Sequence, residues 1–321
     1  MEMKGFTYGY GGKRNMYRSQ RGQKSQDALF DTGVNWICLA VLNHQEHFYS
    51  TDISFDFSRT PTDRDITFVV ERARAKGIKT CLKPILNSSD FMWRAYISFP
   101  DKSMAEKDVY WKKWFKSYTA YMLHYAELAE ELGVEMLCIG CEMSGTEHKT
   151  KKWRKLIAAV REVYSGKLVY NTNHGDEKNV KFWDDLDYIG TSAYYQVGEE
   201  GTSIPEMSAV WEHVRTKLNK LSEKYGKQYI FIEIGCRSAK GCAAIPWDFS
   251  HMEYPYSEEE QADFYESCLD VFTKEEKFAG VFWWDWSTYI YDNREAASKD
   301  LGFNIHLKKA EDVIKKFYKG D

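Results

Sequence analysis

VEMLCIGCE at residues 134–142 and QYIFIEIG at residues 228–235 each run through a short apolar stretch and then present a glutamate. The apolar parts, Met136 to Ile139 and Tyr229 to Ile232, are too short for helices. Continuous apolar runs of this length mark strands covered on both faces of a parallel sheet. Glu142 and Glu233 thus stand where a buried strand leaves the core for a solvent-facing mouth. One carboxylate in such a place reads as a salt-bridge partner. Two, on separate strands of an aromatic-rich chain, point to a pair flanking a glycosidic bond.

Outward from these two, the same pattern recurs eight times: Lys4–Tyr10, Val34–Val41, Ile78–Ile85, Val134–Cys141, Lys167–Asn171, Asp187–Tyr194, Gln228–Ile234 and Ala279–Asp285. Helical periodicity fills most of the intervals. Asp108–Leu132 sets Trp111, Phe115, Tyr118, Met122, Tyr125, Leu128 and Leu132 at three- and four-residue steps, and Trp153, Ile157, Val160 and Tyr164 repeat the stripe. Ser257 followed by Glu260 predicts a capping box, and Ala310–Tyr318 a last helix. The interval between the fifth and sixth strands is too short for a full helix. Strands alternating with helices imply a parallel sheet, and eight repeats imply an α/β fold of one kind, a single (β/α)8 TIM barrel spanning residues 1–321.

Loop lengths mark the working face. Helix-to-strand returns are tight, and five carry a glycine suited to a helix C-terminal cap: Gly33, Gly77, Gly133, Gly166 and Gly226. Strand-to-helix loops are long, especially Asn87–Lys107, Gly235–Tyr256 and Trp286–Asn304, and in this architecture they build the active face. They hold Phe91, Trp93, Tyr96, Phe99, Trp247, Phe249, Trp286, Tyr289 and Tyr291. Aromatics make up 16% of the chain, with 22 Tyr and 11 Trp, and those at the mouth have the apolar faces and polar edges that stack on sugar rings.

Several function classes fall away. Net charge is −4 with both signs dispersed, so no basic stripe offers itself to nucleic acid. No apolar run approaches the roughly 20 residues that cross a membrane. The opening MEMKGFTYGY looks like a first strand rather than a signal peptide, which predicts a cytoplasmic protein. Seven cysteines, mostly in or beside apolar strands, fit reduced thiols rather than a disulfide framework. Cys138 and Cys141 form CxxC, but residues three apart on a regular strand face opposite ways, so no metal is expected there. His44 and His47 form HxxH without a helix beneath them. GYGGKRN at residues 9–15 fits no phosphate-cradling loop, although Lys13 and Arg14 are basic, and no GxSxG occurs.

The remaining polar groups at strand ends suit a glycan. They are Tyr10 after the first strand, His44 after the second, Lys83 on the third, Asn171 and Asn173 on the fifth, and Tyr194 and Tyr195 on the sixth. The eighth strand ends FWWDW at residues 282–286, where alternation presents either Trp283 or Trp284 to the mouth and packs the other behind the wall. The GVFxW spacing from Gly280 favours Trp284.

Carboxylates after strands four and seven, with a tryptophan on strand eight, resemble clan A of the retaining (β/α)8 glycoside hydrolases. GFTYGYGG (5–12), LKP (82–84), IGCE (139–142), SAYY (192–195) and FIEIG (231–235) together resemble glycoside hydrolase family 113, the β-mannanases, over nearly the whole chain. That resemblance implies Glu142 as acid/base and Glu233 as nucleophile, with no cofactor, acting as a monomer on manno-oligosaccharides or mannan. Many clan members carry Asn before the acid/base, where this chain has Cys141. The same carboxylates also suit β-1,4-galactan or β-glucan, and the mouth aromatics alone would suit a non-catalytic glycan-binding barrel. Retention requires carboxyls roughly 5–5.5 Å apart, with Glu233 ionised and Glu142 able to hold a proton.

Overall fold

In the computed structural model, which describes residues 1–101 and 108–320, the eight strands close into one parallel barrel in sequence order. They are β1 (Met3–Tyr8), β2 (Trp36–Gln45), β3 (Lys79–Ser88), β4 (Met136–Cys141), β5 (Lys167–Asn173), β6 (Tyr188–Ser192), β7 (Tyr229–Ile234) and β8 (Phe278–Trp286). Each expected run contains one strand, with ends moved by a few residues. β2 and β3 run furthest past expectation because they pair with each other without interruption from Trp36–Lys79 to Gln45–Ser88.

The helices are α1 (Gln20–Phe30), α2 (Asp63–Ala75), α3 (Val109–Leu132), α4 (Ser144–Glu147), α5 (Thr150–Val163), α6 (Ile204–Tyr225), α7 (Glu258–Phe272), α8 (Arg294–Ala297) and α9 (Lys309–Lys319). Between β5 and β6 a 3₁₀ turn at Trp183–Asp185 takes the place of a full helix. The aromatic stripe of α3 faces the barrel: Trp111, Phe115, Tyr118, Met122 and Tyr125 are buried, and the Trp114 ring stacks on Tyr118 with centroids 4.7 Å apart. No helix among the described residues is long and apolar enough to cross a membrane. The end of the expected Asn87–Lys107 loop, residues 102–107, lies outside the described residues.

Two local expectations need correction. Gly33, Gly77, Gly133 and Gly226 adopt positive φ at helix ends, but Gly166 does not. There α5 ends at Tyr164 in extended backbone, and a Cβ on Gly166 would lie 2.2 Å from the Tyr164 hydroxyl, so glycine is needed for space. At α7, Ser257 Oγ accepts from Glu260 N at 3.2 Å, but the Glu260 carboxylate accepts from Gly241 N at 2.7 Å and does not complete a box.

Strand alternation divides the core. Outward side chains such as Phe6, Leu39, Leu137, Tyr170 and Phe231 pack under the helices, while Met3, Trp36, Cys38, Cys81, Met136, Cys138, Val169, Ile230, Ile232 and Phe282 fill the barrel interior. Above them Ala40, Ile85 and Cys141 form a smaller apolar group. Cys138 and Cys141 therefore both face inward, contrary to the expected opposition. The β4–β5 register slips between them, and Gly140 turns outward, where a Cβ would meet the Tyr170 and Trp153 rings at 2.7 and 2.9 Å. A bulge of this kind re-aims the side chains beyond it.

On β8, Trp283 points outward and is fully buried. Its ring stacks on Tyr265 at 3.9 Å and its Nε1 donates to the Tyr318 hydroxyl at 3.1 Å. Trp284 turns to the mouth and packs against Tyr10 with centroids 4.6 Å apart. Replacing Trp283 with Ala should therefore lower unfolding free energy by about 3–5 kcal/mol in urea titrations. Trp284→Ala should cost clearly less. Equal losses would mean that the two rings do not divide between wall and mouth.

Candidate active site

Glu233 is drawn into the barrel by a second bulge. The β7–β8 register slips between Phe231 and Ile234, and the β6–β7 register slips where Ser192 pairs with Glu233. As a result Ile232 stays in the interior layer while Glu233, 2% exposed, also turns inward. Lys83, fully buried, donates to its Oε1 and forms an ion pair with it. Asn171 Nδ2 donates to the same oxygen at 3.2 Å, as does the Cys141 thiol at 3.3 Å. Tyr194 OH donates to Oε2 at 3.2 Å. Ser192 Oγ fixes the Asn171 amide by donating to its Oδ1 at 3.2 Å.

These groups decide the charge of Glu233. Burial alone would raise its carboxyl, but the positive charges of Lys83 and Arg94, with hydrogen bonds from Lys83 and Cys141, outweigh burial and hold it below its ordinary value. Lys83 is raised despite burial by its acidic neighbours, Cys141 first and then Glu233. A depressed carboxylate contributes stability above its unfolded pKa and loses it as pH falls through the folded one. A raised lysine contributes below its unfolded pKa and loses it as pH rises through the folded one. The ion pair is thus intact between the ordinary values of 4.5 and 10.5 and fails only beyond them.

Glu142 follows β4 directly. Its φ is +52°, a left-handed backbone uncommon outside glycine, and its N–H donates to Asn171 O at 2.7 Å. Arg94, on a 3₁₀ turn at Arg94–Tyr96, donates from Nη2 to Glu142 Oε2 at 2.8 Å, and Trp93 Nε1 lies 3.4 Å from the same oxygen. Arg94 Nη1 also donates to Asn87 Oδ1 at 2.7 Å, and Asn87 Nδ2 donates to Tyr10 OH at 3.3 Å. Tyr10 packs on Trp284, whose face lies 5.9 Å from Lys83 Nζ. One continuous ring of contacts therefore runs from Glu142 through Arg94, Asn87, Tyr10, Trp284 and Lys83 to Glu233.

The structure brings together Glu142, Glu233, Tyr10, Lys83, Asn171, Tyr194 and Trp284. His44 stands apart from their hydrogen bonds. It is half-buried on β2, its Nδ1 has no partner among the described residues, and burial, then Arg59, lowers its pKa. Asn173 and Tyr195 turn to other partners, Ser144 and Glu177. Of the loop aromatics, Phe99 and Trp286 are core residues, Phe99 against Trp111 and Trp286 against Phe6, whereas Phe91, Trp93, Tyr96, Trp247, Phe249 and Tyr289 are exposed. Arg94, Asn87 and Ser192 were missed from sequence. The one available signal was a lone arginine within the aromatic loop after β3. No group of three or more His, Cys, Asp or Glu side chains among the described residues could hold a metal ion.

The sequence profile of Glycoside Hydrolase Family 113 matches residues 6–308. A solved β-1,4-mannanase of that family is 33% identical over 100% of both chains, with a TM-score of 0.91. The β-mannanase from Alicyclobacillus acidocaldarius, solved in complex with ManMIm, is 36% identical over 99% of this chain and 97% of that one, with a TM-score of 0.90. The β-glucuronidase of Ruminococcus gnavus shares the fold alone, at 16% identity and a TM-score of 0.65 over 99% of this chain and 50% of that one. No curated protein matches the chain.

Lys83→Met removes the nearest charge and leaves the burial of Glu233 in place. The carboxyl's titration midpoint should then rise by about one to three pH units, followed by NMR of a carboxyl-labelled glutamate. An unmoved midpoint would show that Lys83 does not set the charge of Glu233.

Proposed function

Because the chain belongs to Glycoside Hydrolase Family 113, we propose that it is a retaining hydrolase of β-1,4-mannosidic bonds in manno-oligosaccharides or mannan. The observation that carries this is the asymmetry of the two carboxylates. Glu233 is buried, ionised and bonded by Lys83, Asn171, Cys141 and Tyr194, as a nucleophile must be. Glu142 stands at the mouth with its side-chain hydrogen bonds among the described residues on Oε2, which leaves Oε1 to exchange a proton.

In the first step Glu233 attacks the anomeric carbon, a carbon–oxygen bond forms to the enzyme, and the glycosidic bond breaks as Glu142 gives its proton to the departing oxygen. In the second, water loses a proton to Glu142 and attacks the same carbon, releasing Glu233. Two inversions restore the β configuration. Trp284 supplies the stacking floor, backed by Tyr10. Neither step requires a cofactor. All seven cysteines stand as thiols, which suits a reducing compartment, and we place the reaction there, on short imported oligosaccharides.

The test combines a substrate panel with substitutions. Among β-linked manno-, galacto- and gluco-oligosaccharides, cleavage should be fastest on the manno series, and NMR should show the β anomer as first product. Glu233→Gln should abolish turnover on every substrate. Glu142→Ala should cost about 10²–10⁴-fold on ordinary glycosides but far less with a leaving group that departs unprotonated, and azide should partly rescue it. Trp284→Ala should raise KM about tenfold. An α-configured first product would overturn retention. Full activity of Glu233→Gln would overturn the nucleophile assignment.

A further inference from the structure

Cys236 and Cys242 flank a short turn that begins three residues after Glu233. Their sulfurs lie 3.1 Å apart, about 1 Å more than the length of a disulfide bond. The turn is held from several sides. Gln261 Nε2 of α7 donates to Cys236 O at 3.0 Å, Gly241 N donates to Glu260 at 2.7 Å, Cys242 N closes on Ala239 O at 3.2 Å, and Val197 N donates to Ala243 O at 3.0 Å. These contacts fix the backbone on both sides, so the approach of the thiols is built into the loop. Arg237 within the turn forms a buried ion pair with Asp248, and beyond the turn the loop carries Trp247 and Phe249.

We infer that Cys236 and Cys242 are a redox-modification site that closes to a disulfide and braces the loop following Glu233. The remaining cysteines are poorly placed for such chemistry. Cys38, Cys81 and Cys138 are sealed in the barrel interior, Cys141 is occupied with Glu233, and Cys268 is buried on α7. Cys242 is 5% exposed and Cys236 not at all, so the oxidant meets Cys242 first. With a small-molecule disulfide as oxidant, the Cys242 thiolate attacks one sulfur and expels the first small thiol, leaving a mixed disulfide. The Cys236 thiolate then attacks the Cys242 sulfur and expels the second. Two protein thiols are oxidised, the oxidant's one S–S bond is reduced to two thiols, and two protons pass from the protein to the products. Burial, and then the neighbouring Cys242, raise the Cys236 thiol. In a reducing compartment the pair stays open, and it closes when disulfide oxidants accumulate.

The folded protein is equilibrated with oxidised glutathione, unfolded, alkylated, and mapped by peptide mass spectrometry. The expected result is one Cys236–Cys242 link with the other five cysteines alkylated, reversed by dithiothreitol. The linked protein should melt a few degrees higher than the reduced protein. Cys242→Ala, which leaves the catalytic groups untouched, should remove the oxidant's effect on melting while keeping turnover within about twofold of the wild-type value. Seven alkylated cysteines, a link between any other pair, or a link that fails to raise the melting temperature would each overturn the proposal. The mapping uses the unaltered chain, so it decides the matter even where a cysteine variant folds poorly.

Discussion

The ion pair between Lys83 and Glu233 is the constraint around which the mouth of the barrel is arranged. Taking two opposite charges out of water costs several kcal/mol per ion, and their attraction offsets this only when further hydrogen bonds satisfy them. Asn171, Tyr194 and Cys141 supply those bonds, and Ser192 holds Asn171 in the required orientation. The layer below is filled mainly by buried apolar side chains, Met3, Trp36, Met136, Ile230 and Phe282 among them. A polar quartet above this layer keeps Glu233 charged where burial alone would neutralise it.

Glu142 is handled differently. The partners of its carboxylate come from a loop rather than from neighbouring strands, and its own backbone is left-handed. The barrel wall fixes one carboxylate rigidly, while the strand-to-helix loop after β3 positions the other. Such a division suits chemistry in which one group must stay anionic until attack and the other must gain and lose a proton within each turnover. Arg94 also acts electrostatically on Glu233, so the loop and the wall are coupled through a single guanidinium.

Much of this was legible in the sequence because it rests on short-range rules. Apolar runs of strand length, helical stripes and loop asymmetry fix the barrel and place Glu142 and Glu233 at its mouth. Lys83, Asn171 and Tyr194 could be read as polar groups at strand ends, and Trp284 from the GVFxW spacing, since alternation alone leaves Trp283 and Trp284 both open. What could not be read is whatever breaks alternation or comes from a loop. The bulge at Gly140 turns Cys141 inward beside Glu233, and nothing in IGCE announces a slipped register. Arg94 reaches Glu142 across 48 residues of sequence separation, by a turn that periodicity does not describe. Phe99 and Trp286 look like mouth aromatics in a linear sequence, yet both are wall packing.

The proposed stacking floor lies at the seam where β8 meets β1, since Trp284 comes from one strand and Tyr10 from just beyond the other. That seam is also tied from outside, with Lys4 donating to Tyr318 O at 2.9 Å and the Trp283 indole donating to the Tyr318 hydroxyl. In chain order β1 precedes the other strands and its barrel partner β8 follows them. Without β8 the other seven strands would be an open sheet with β1 and β7 at its edges. Both carboxylates precede β8 in the chain, whereas Trp284 of the proposed floor belongs to it. Closure of the barrel and completion of the proposed sugar floor are therefore one event, the docking of β8 between β7 and β1.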